Sequence, residues 1–229
     1  MIKEKNTVVL VLKSGGDFSF SDVELLAHHL HAYYSGEKPL EVVCLCDKVT
    51  QPFALKNCTL IPMPYPNWKG WWSKLNLFAP EMEQYRPFLY IDLDTAIVGD
   101  YKELFLQNET EIAMLSDFYR NKEPASGVMW IPSNNQQVKG VWESWVKEPE
   151  NHMKKYCGDQ NFISNFILSN IRWQAVTNLI CSFKVRKQDR SWLQEIPEGI
   201  SVVCFHGHPR IREAVSVPWV FKYIKQISL

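Results

Sequence analysis

Apolar residues arrive in short runs separated by stretches of helical spacing. Residues 7–12 form an unbroken apolar run rich in valine, the pattern of a strand buried on both faces. Ser14, Gly15, Gly16 and Asp17 break it with a turn. Ser21 and Glu24 form a capping-box pattern, and Val23, Leu26, Ala27, Leu30 and Tyr34 follow at helical spacing up to Gly36. Residues 40–46 read as a second strand. Strand, turn, helix and strand in this order predict a βαβ unit, hence a parallel sheet with a right-handed crossover. Further strands are predicted at 59–63, 88–93, 112–115, 128–131, 183–186 and 202–205. Helices are predicted at 68–78, 138–146 (ended by Pro149) and 160–168. No repeat or linker interrupts the alternation, so the pattern predicts one α/β domain over residues 1–229, equally suited to standing alone or within a longer protein.

Composition narrows the function only slightly. Lys plus Arg and Asp plus Glu are both 25, so no net charge draws the chain to nucleic acid or anionic membrane, and no nucleic-acid partner is expected. The six cysteines include no Cys-x-x-Cys pair, and several lie in apolar runs, as buried reduced thiols do. The apolar run before Lys13 is too short to cross a membrane and lacks a small-residue cleavage site. These features predict a cytoplasmic protein without a transmembrane segment.

The chemistry concentrates in Tyr90-Ile91-Asp92-Leu93-Asp94-Thr95. Side chains two apart on a strand point the same way, so the two carboxylates are expected to share one face. They repel each other unless a cation lies between them. Ligands of parallel α/β sheets collect beyond the carboxyl ends of the strands. Hard oxygen donors suit Mg²⁺ or Mn²⁺, which usually bridge carboxylates to substrate phosphates. The bland alternative is an Asp-rich surface turn.

Residues 88–100, FLYIDLDTAIVGD, resemble the DxD region of GT-A glycosyltransferases, closest to the family 8 type. Lys74, in Trp-Trp-Ser-Lys, stands where that family has a basic residue contacting the donor. Ser126-Gly127-Val128 is similar to its N-[SA]-G-V strand, with Ala125 in place of the usual Asn. Gly158-Asp159-Gln160-Asn161 is similar to its DQD segment, and the stretch 202–210 to its late HFxG…KP stretch. The five pieces fall in the family's order over most of the chain.

The resemblance implies a GT-A (Rossmann-like) single domain with a mixed, mostly parallel sheet flanked by helices. It implies an enzyme moving a sugar from a nucleoside diphosphate, UDP by family preference, to a glycan or lipid-linked acceptor, with retention of configuration. Asp92 and Asp94 would bind Mn²⁺ (or Mg²⁺), with Leu93 between them. A third ligand would come from the late strand: His206 is favoured because it abuts Gly207, with His208 and Cys204 as alternatives, Cys204 occupying the family's His column. Lys74 and Arg210 would neutralise the diphosphate. Val11, Lys13, Ser14 and Gly15 would surround nucleobase and ribose. Asp159 and Gln160 would face the transferred sugar as the catalytic pair, with Asp117, Ser126 and Gly127 lining donor sugar or acceptor.

Other readings remain open. Each charged residue named could be a solvated surface group, and Asp159 simply an acid at a helix start. Trp68, Trp71 and Trp72 could stack sugar rings or pack a helix onto the sheet. Trp142 and Trp145 are spaced as a buried helical stripe. His28, His29 and His31 read as a polar helix face. A haloacid-dehalogenase-type phosphatase would use Asp92 as nucleophile, but Ala96 breaks its motif and the other segments have no role there. A sugar-1-phosphate nucleotidyltransferase would want a basic Gly-rich loop, which Ser14-Gly15-Gly16-Asp17 matches poorly. A non-catalytic nucleotide-sugar-binding module would keep the same residues.

Overall fold

Strand β1 (Asn6–Leu12) runs through the middle of an eight-stranded sheet, and its alternation divides the interior into two cores. Val8, Leu10 and Leu12 face one side and Val9 the other, as the two-residue strand period requires. The computed structural model describes residues 4–106, 109–186 and 191–226; the ends of the predicted 1–229 domain lie outside the described residues.

After β1 come α1 (Phe20–Tyr33), β2 (Leu40–Cys46), β3 (Phe53–Leu55) and β4 (Cys58–Pro62). Two 3₁₀ helices, Gly70–Phe78 and Pro80–Tyr85, lead to β5 (Phe88–Ile91) and β6 (Thr95–Ile97). Then follow β7 (Ala113–Ser116), β8 (Pro124–Ile131), α2 (Gln136–Lys147), α3 (Pro149–Lys155) and α4 (Asp159–Phe166). The last part holds β9 (Ile171–Arg172), α5 (Trp173–Val176), β10 (Ile180–Ser182), β11 (Lys184–Arg186), β12 (Ser191–Trp192), β13 (Val202–Cys204) and α6 (Pro218–Lys225).

The large sheet has the order β3-β4-β2-β1-β5-β8-β7-β9. The pairs β4–β2, β2–β1, β1–β5 and β7–β9 are parallel, and only β3 and β8 run against the rest. The sheet is therefore mixed and mostly parallel, with helices on both faces. Val23, Leu26, Ala27 and Leu30 of α1 cover one face. Leu75, Leu77, Val141, Trp145 and Phe162, from the first 3₁₀ helix, α2 and α4, cover the other. The predicted Trp142 and Trp145 stripe is buried there. A three-stranded sheet, β10-β13-β6, forms a third cluster with α6.

Several local expectations shift. The reciprocal cap of α1 is made by Ser19 and Asp22, not Ser21 and Glu24: the Ser19 N–H donates to Asp22 Oδ2 at 2.8 Å, starting the helix two residues earlier than a Ser21 cap allows. The predicted helix at 68–78 begins at Gly70 and winds as 3₁₀. Pro149 opens α3 as well as ending α2, because its missing N–H costs nothing in a first turn. Among the described residues, no helix is long and apolar enough to cross a membrane.

His29 departs furthest from its expected polar face. It is wholly buried, stacks on Tyr223 at 3.7 Å between ring centres, and shares a 2.9 Å hydrogen bond through Nε2 with the Tyr223 carbonyl. Burial pulls its pKa down to about 4, and Nδ1 has no partner. Because the folded pKa is depressed, the unfolded chain binds the extra proton between pH 6.5 and 4, and stability falls as pH drops through that window. The full difference corresponds to about 3 kcal/mol. Denaturant midpoints measured across this window should fall for the wild type and fall less for His29→Phe; identical slopes would show that burial of His29 does not couple its proton to folding.

Candidate functional site

A cleft of about 470 Å³ opens at the carboxyl ends of β1 and β5, where ligands of such sheets collect. Val11, Lys13, Ser14, Gly15, Gly16, Asp17 and Phe18 line it at the end of β1. Lys74, Tyr90, Asp92, Leu93, Asp94, Ser126, Asp159, Gln160 and Arg210 also line it, so most of the predicted site residues meet in one place.

The two acids do not continue one strand face. Strand β5 ends at Ile91, and the chain bends through Asp92-Leu93-Asp94 into β6 in the small sheet. The bend is pinned at both ends: the Asp92 N–H donates to the Gly127 carbonyl at 2.8 Å, and the Asp94 carbonyl accepts from the Phe205 N–H at 2.8 Å. Each carboxylate consequently meets a different cation.

Asp92 belongs to a half-buried cluster. Its carboxylate lies 2.9 Å from Lys74 Nζ and accepts from the Tyr90 hydroxyl, which shares its face two residues earlier. Lys74 Nζ also lies 3.1 Å from Asp159 Oδ2 and 3.2 Å from Ser126 Oγ, and Ser126 Oγ donates to Asp159 at 3.0 Å. Ser126 and Gly127 occupy an irregularity in the β7–β8 ladder, where Met114 pairs with Met129 but Leu115 with Ala125. A Cβ added at Gly127 would meet Asp92 Oδ2 at 3.4 Å, an ordinary contact, so the carboxylate lies directly against this part of the strand. Burial raises the Asp92 pKa to about 6, against the opposing pull of Lys74. Burial opposes the charge on Lys74 too, but Asp159 and Asp92 outweigh it and hold the ammonium above its ordinary range. The cluster thus keeps its lysine charged at neutral pH.

Asp94 belongs to a second cluster. Its Oδ2 accepts from Arg210 Nη1 at 2.6 Å and from the Gly207 N–H at 3.1 Å. Arg210 also binds Asp17 at 2.7 Å and lies over the Phe18 ring at 4.8 Å. The Gly207 N–H is aimed by a turn with φ of +37° at His206 and +100° at Gly207, a conformation that costs a non-glycine residue about 1 kcal/mol.

His206 does not join the carboxylates. Its Nε2 lies 2.6 Å from Ser182 Oγ, and the ring stacks on Phe118 at 5.1 Å with Tyr119 edge-on. Burial, then the nearby Lys184, lowers its pKa to about 4, so the ring is neutral. His208 pairs with Glu213 at 2.8 Å, and Cys204 is a buried thiol. Among the described residues, no three His, Cys, Asp or Glu side chains gather into a metal cluster. The donors that suit a hard divalent ion are therefore the carboxylates of Asp92 and Asp94, a number sufficient when substrate phosphates and water complete the shell. The three-ligand set with His206 does not form in this arrangement.

Gln160 is positioned by Asp117: its Nε2 donates to Asp117 Oδ2 at 3.3 Å. Asp117 is itself held by the Tyr119 and Arg120 N–H groups, both at 2.8 Å, which outweigh burial and lower its pKa. Gln160, held in this way, lines the cleft. At the β1 end, Asp47 accepts from Lys13 at 2.6 Å and from the Ser14 N–H at 2.8 Å, shaping the loop.

Asp17, Phe18, Asp47 and Tyr90 are the site residues that motif reading misses. Tyr90 and Asp47 carried a usable signal: one stands two residues before Asp92 on its strand, the other directly follows the β2 run. The partnership of Asp17 with Arg210 spans 193 positions and had none.

No known family profile matches the chain, and no curated protein sequence does. Solved structures do. The glycosyltransferase GlyE of Streptococcus pneumoniae TIGR4 superposes with a TM-score of 0.67 at 13% identity, covering 97% of this chain and 60% of that one. Its apo form gives 0.62 at 15% identity, covering 96% and 60%. The apo structure of the bifunctional glycosyltransferase WbbM gives 0.60 at 12%, covering 97% and 52%. The chain thus has a fold that these glycosyltransferases share, and it spans about 60% of the GlyE chain and about half of the WbbM chain.

Proposed function

We propose that the cleft transfers a glycosyl group from a nucleoside-diphosphate sugar to a hydroxyl of a glycan or lipid-linked acceptor. The observation that carries this reading is the pairing of Asp92 with Lys74 and of Asp94 with Arg210 at the mouth of a parallel sheet. Two acids and two cations in one cleft suit a polyphosphate that leaves with negative charge. A divalent cation, Mn²⁺ or Mg²⁺, would be held by Asp92 and Asp94 and would supply Lewis-acid neutralisation of the leaving diphosphate. The glycosyltransferase fold supports the same reading.

The chain's own residues divide the work. The loop from Val11 to Phe18, shaped by Asp47, takes the nucleoside, UDP by the resemblance of the DxD segment. Arg210 moves from Asp94 towards a bound phosphate while Asp17 keeps hold of its other nitrogens. Lys74 holds Asp92 and Asp159 in place and adds positive charge beside the diphosphate. Asp159 and Gln160 face the sugar. With its amide nitrogen held by Asp117, Gln160 would offer its neutral amide oxygen to a carbon gaining positive charge. Retention of configuration follows from the resemblance of the DxD segment, with the departing phosphate taking the acceptor's proton.

Calorimetric titration of UDP, with Mn²⁺ and then with excess chelator, tests the reading. Binding with Mn²⁺ that weakens at least about tenfold, or 1.4 kcal/mol, in chelator is expected. No binding under either condition would overturn it and turn attention to the phosphatase alternative.

A further inference from the structure

The run from Trp68 to Trp72 contains three indoles, and the fold treats them differently. Trp68 stacks on Tyr65 at 5.1 Å and packs edge-on against Trp145 at 5.3 Å; Trp72 stacks on Trp145 at 5.2 Å. These two cement the first 3₁₀ helix to α2. Trp71 is 61% exposed, lines the cleft and has no aromatic partner among the described residues.

Its place is nevertheless defined. A Cβ built on Gly158 would lie 3.4 Å from the Trp71 Nε1 and 3.8 Å from its Cδ1. Gly158 has an extended backbone, φ −179° and ψ 175°, which any residue adopts. Both separations are ordinary contact distances, so they place the indole directly beside Gly158. The next two residues, Asp159 and Gln160, face the cleft, and Lys74, three residues after Trp71, binds Asp159. The indole therefore stands beside Asp159 and Gln160, with most of its surface towards solvent.

We infer that Trp71 is the platform of an acceptor subsite and that the acceptor presents a pyranose ring. An indole offers a broad apolar face, and a pyranose offers a matching face of C–H groups with hydroxyls around its rim. Carboxylate and amide groups beside the platform, on Asp159 and Gln160, can accept from those hydroxyls. Trp71 acts by binding, with no part in bond making. The inference rests on the glycosyl-transfer reading above and narrows its acceptor to a carbohydrate.

Protein labelled with ¹⁵N at its indoles tests it, with the Trp71 Nε1–H resonance assigned by its loss in Trp71→Phe. Maltose, cellobiose, lactose and methyl β-glucopyranoside are titrated as probes in the presence of UDP and Mn²⁺, and UDP is titrated alone. At least one pyranoside is expected to shift the Trp71 resonance. Trp71→Ala should weaken that sugar by about tenfold, more than any change in UDP affinity, and Trp71→Phe should recover most of it. UDP binding with no sugar moving the resonance overturns the subsite and leaves the transferase reading standing. A resonance moved by UDP alone, with UDP affinity lost in Trp71→Ala, also overturns it by giving the indole to the nucleobase. Sugar binding at Trp71 without UDP binding supports the carbohydrate subsite and removes the nucleotide donor instead.

Discussion

Lys74→Met should lower the unfolding free energy by about 3 kcal/mol at pH 7, the lower end of the cost of breaking a buried ion pair. The Lys74 side chain is only 10% exposed, and its ammonium touches Asp92, Asp159 and Ser126 within 3.2 Å. Removing it leaves two carboxylates facing each other without a counterion. Solvent moderates the cost, since the Asp92 side chain keeps 30% of its exposure. The pH dependence has a definite sign. Asp92 already has a raised pKa of about 6, so its contribution to stability is present below its ordinary value near 3.8 and is lost as pH rises through 6. Without Lys74 that loss grows, and the variant's deficit should be larger at pH 7 than at pH 4. Lys74→Met with Asp159→Asn should recover at least about 1 kcal/mol, because one uncompensated charge is gone. A deficit below 1 kcal/mol at pH 7 in denaturant unfolding would show that the lysine does not stabilise the cluster.

For Asp94→Ala the large effect is expected on binding instead. Its side chain is 13% exposed and belongs to none of the three core clusters. Its partners, Arg210 and the Gly207 N–H, lie at the cleft. The fold should survive, while UDP affinity in Mn²⁺ falls by about 100-fold through loss of one of two carboxylate donors. In chelator the outcome should differ. Arg210, released from Asp94 but still held by Asp17, becomes freer to meet phosphate, so the variant should bind metal-free UDP at least as well as the wild type. Equal affinity of both proteins in Mn²⁺ would remove Asp94 from the metal site.

These predictions concern two carboxylates that the sequence places two apart, and they behave differently because the chain does not stay in one strand. The expected strand at 88–93 stops at Ile91 since the next residues leave for the small sheet, where Thr95 pairs with Cys204. Nothing local marks that transfer. His206 shows the same limit. The resemblance called for a late ligand and the neighbouring Gly207 favoured His206, whereas a positive φ and the pocket made by Ser182, Phe118 and Tyr119 turn its ring elsewhere. His29 reversed its expectation because Tyr223, 194 positions away, closes over it.

The five short segments of the site were picked out by their resemblance to a known family, while local period and order were enough for the βαβ start, the buried run of β1 and the α2 stripe. Hydrophobic alternation and turn residues act over a few positions, so one chain read in order reveals them. Only the tertiary structure decided which cation meets which acid, that Asp17 and Asp47 shape the cleft, that Trp71 is exposed while its neighbours are buried, and that His206 faces Ser182. Those outcomes depend on side chains brought together from distant positions, where packing and charge pairing, not local propensity, select the arrangement.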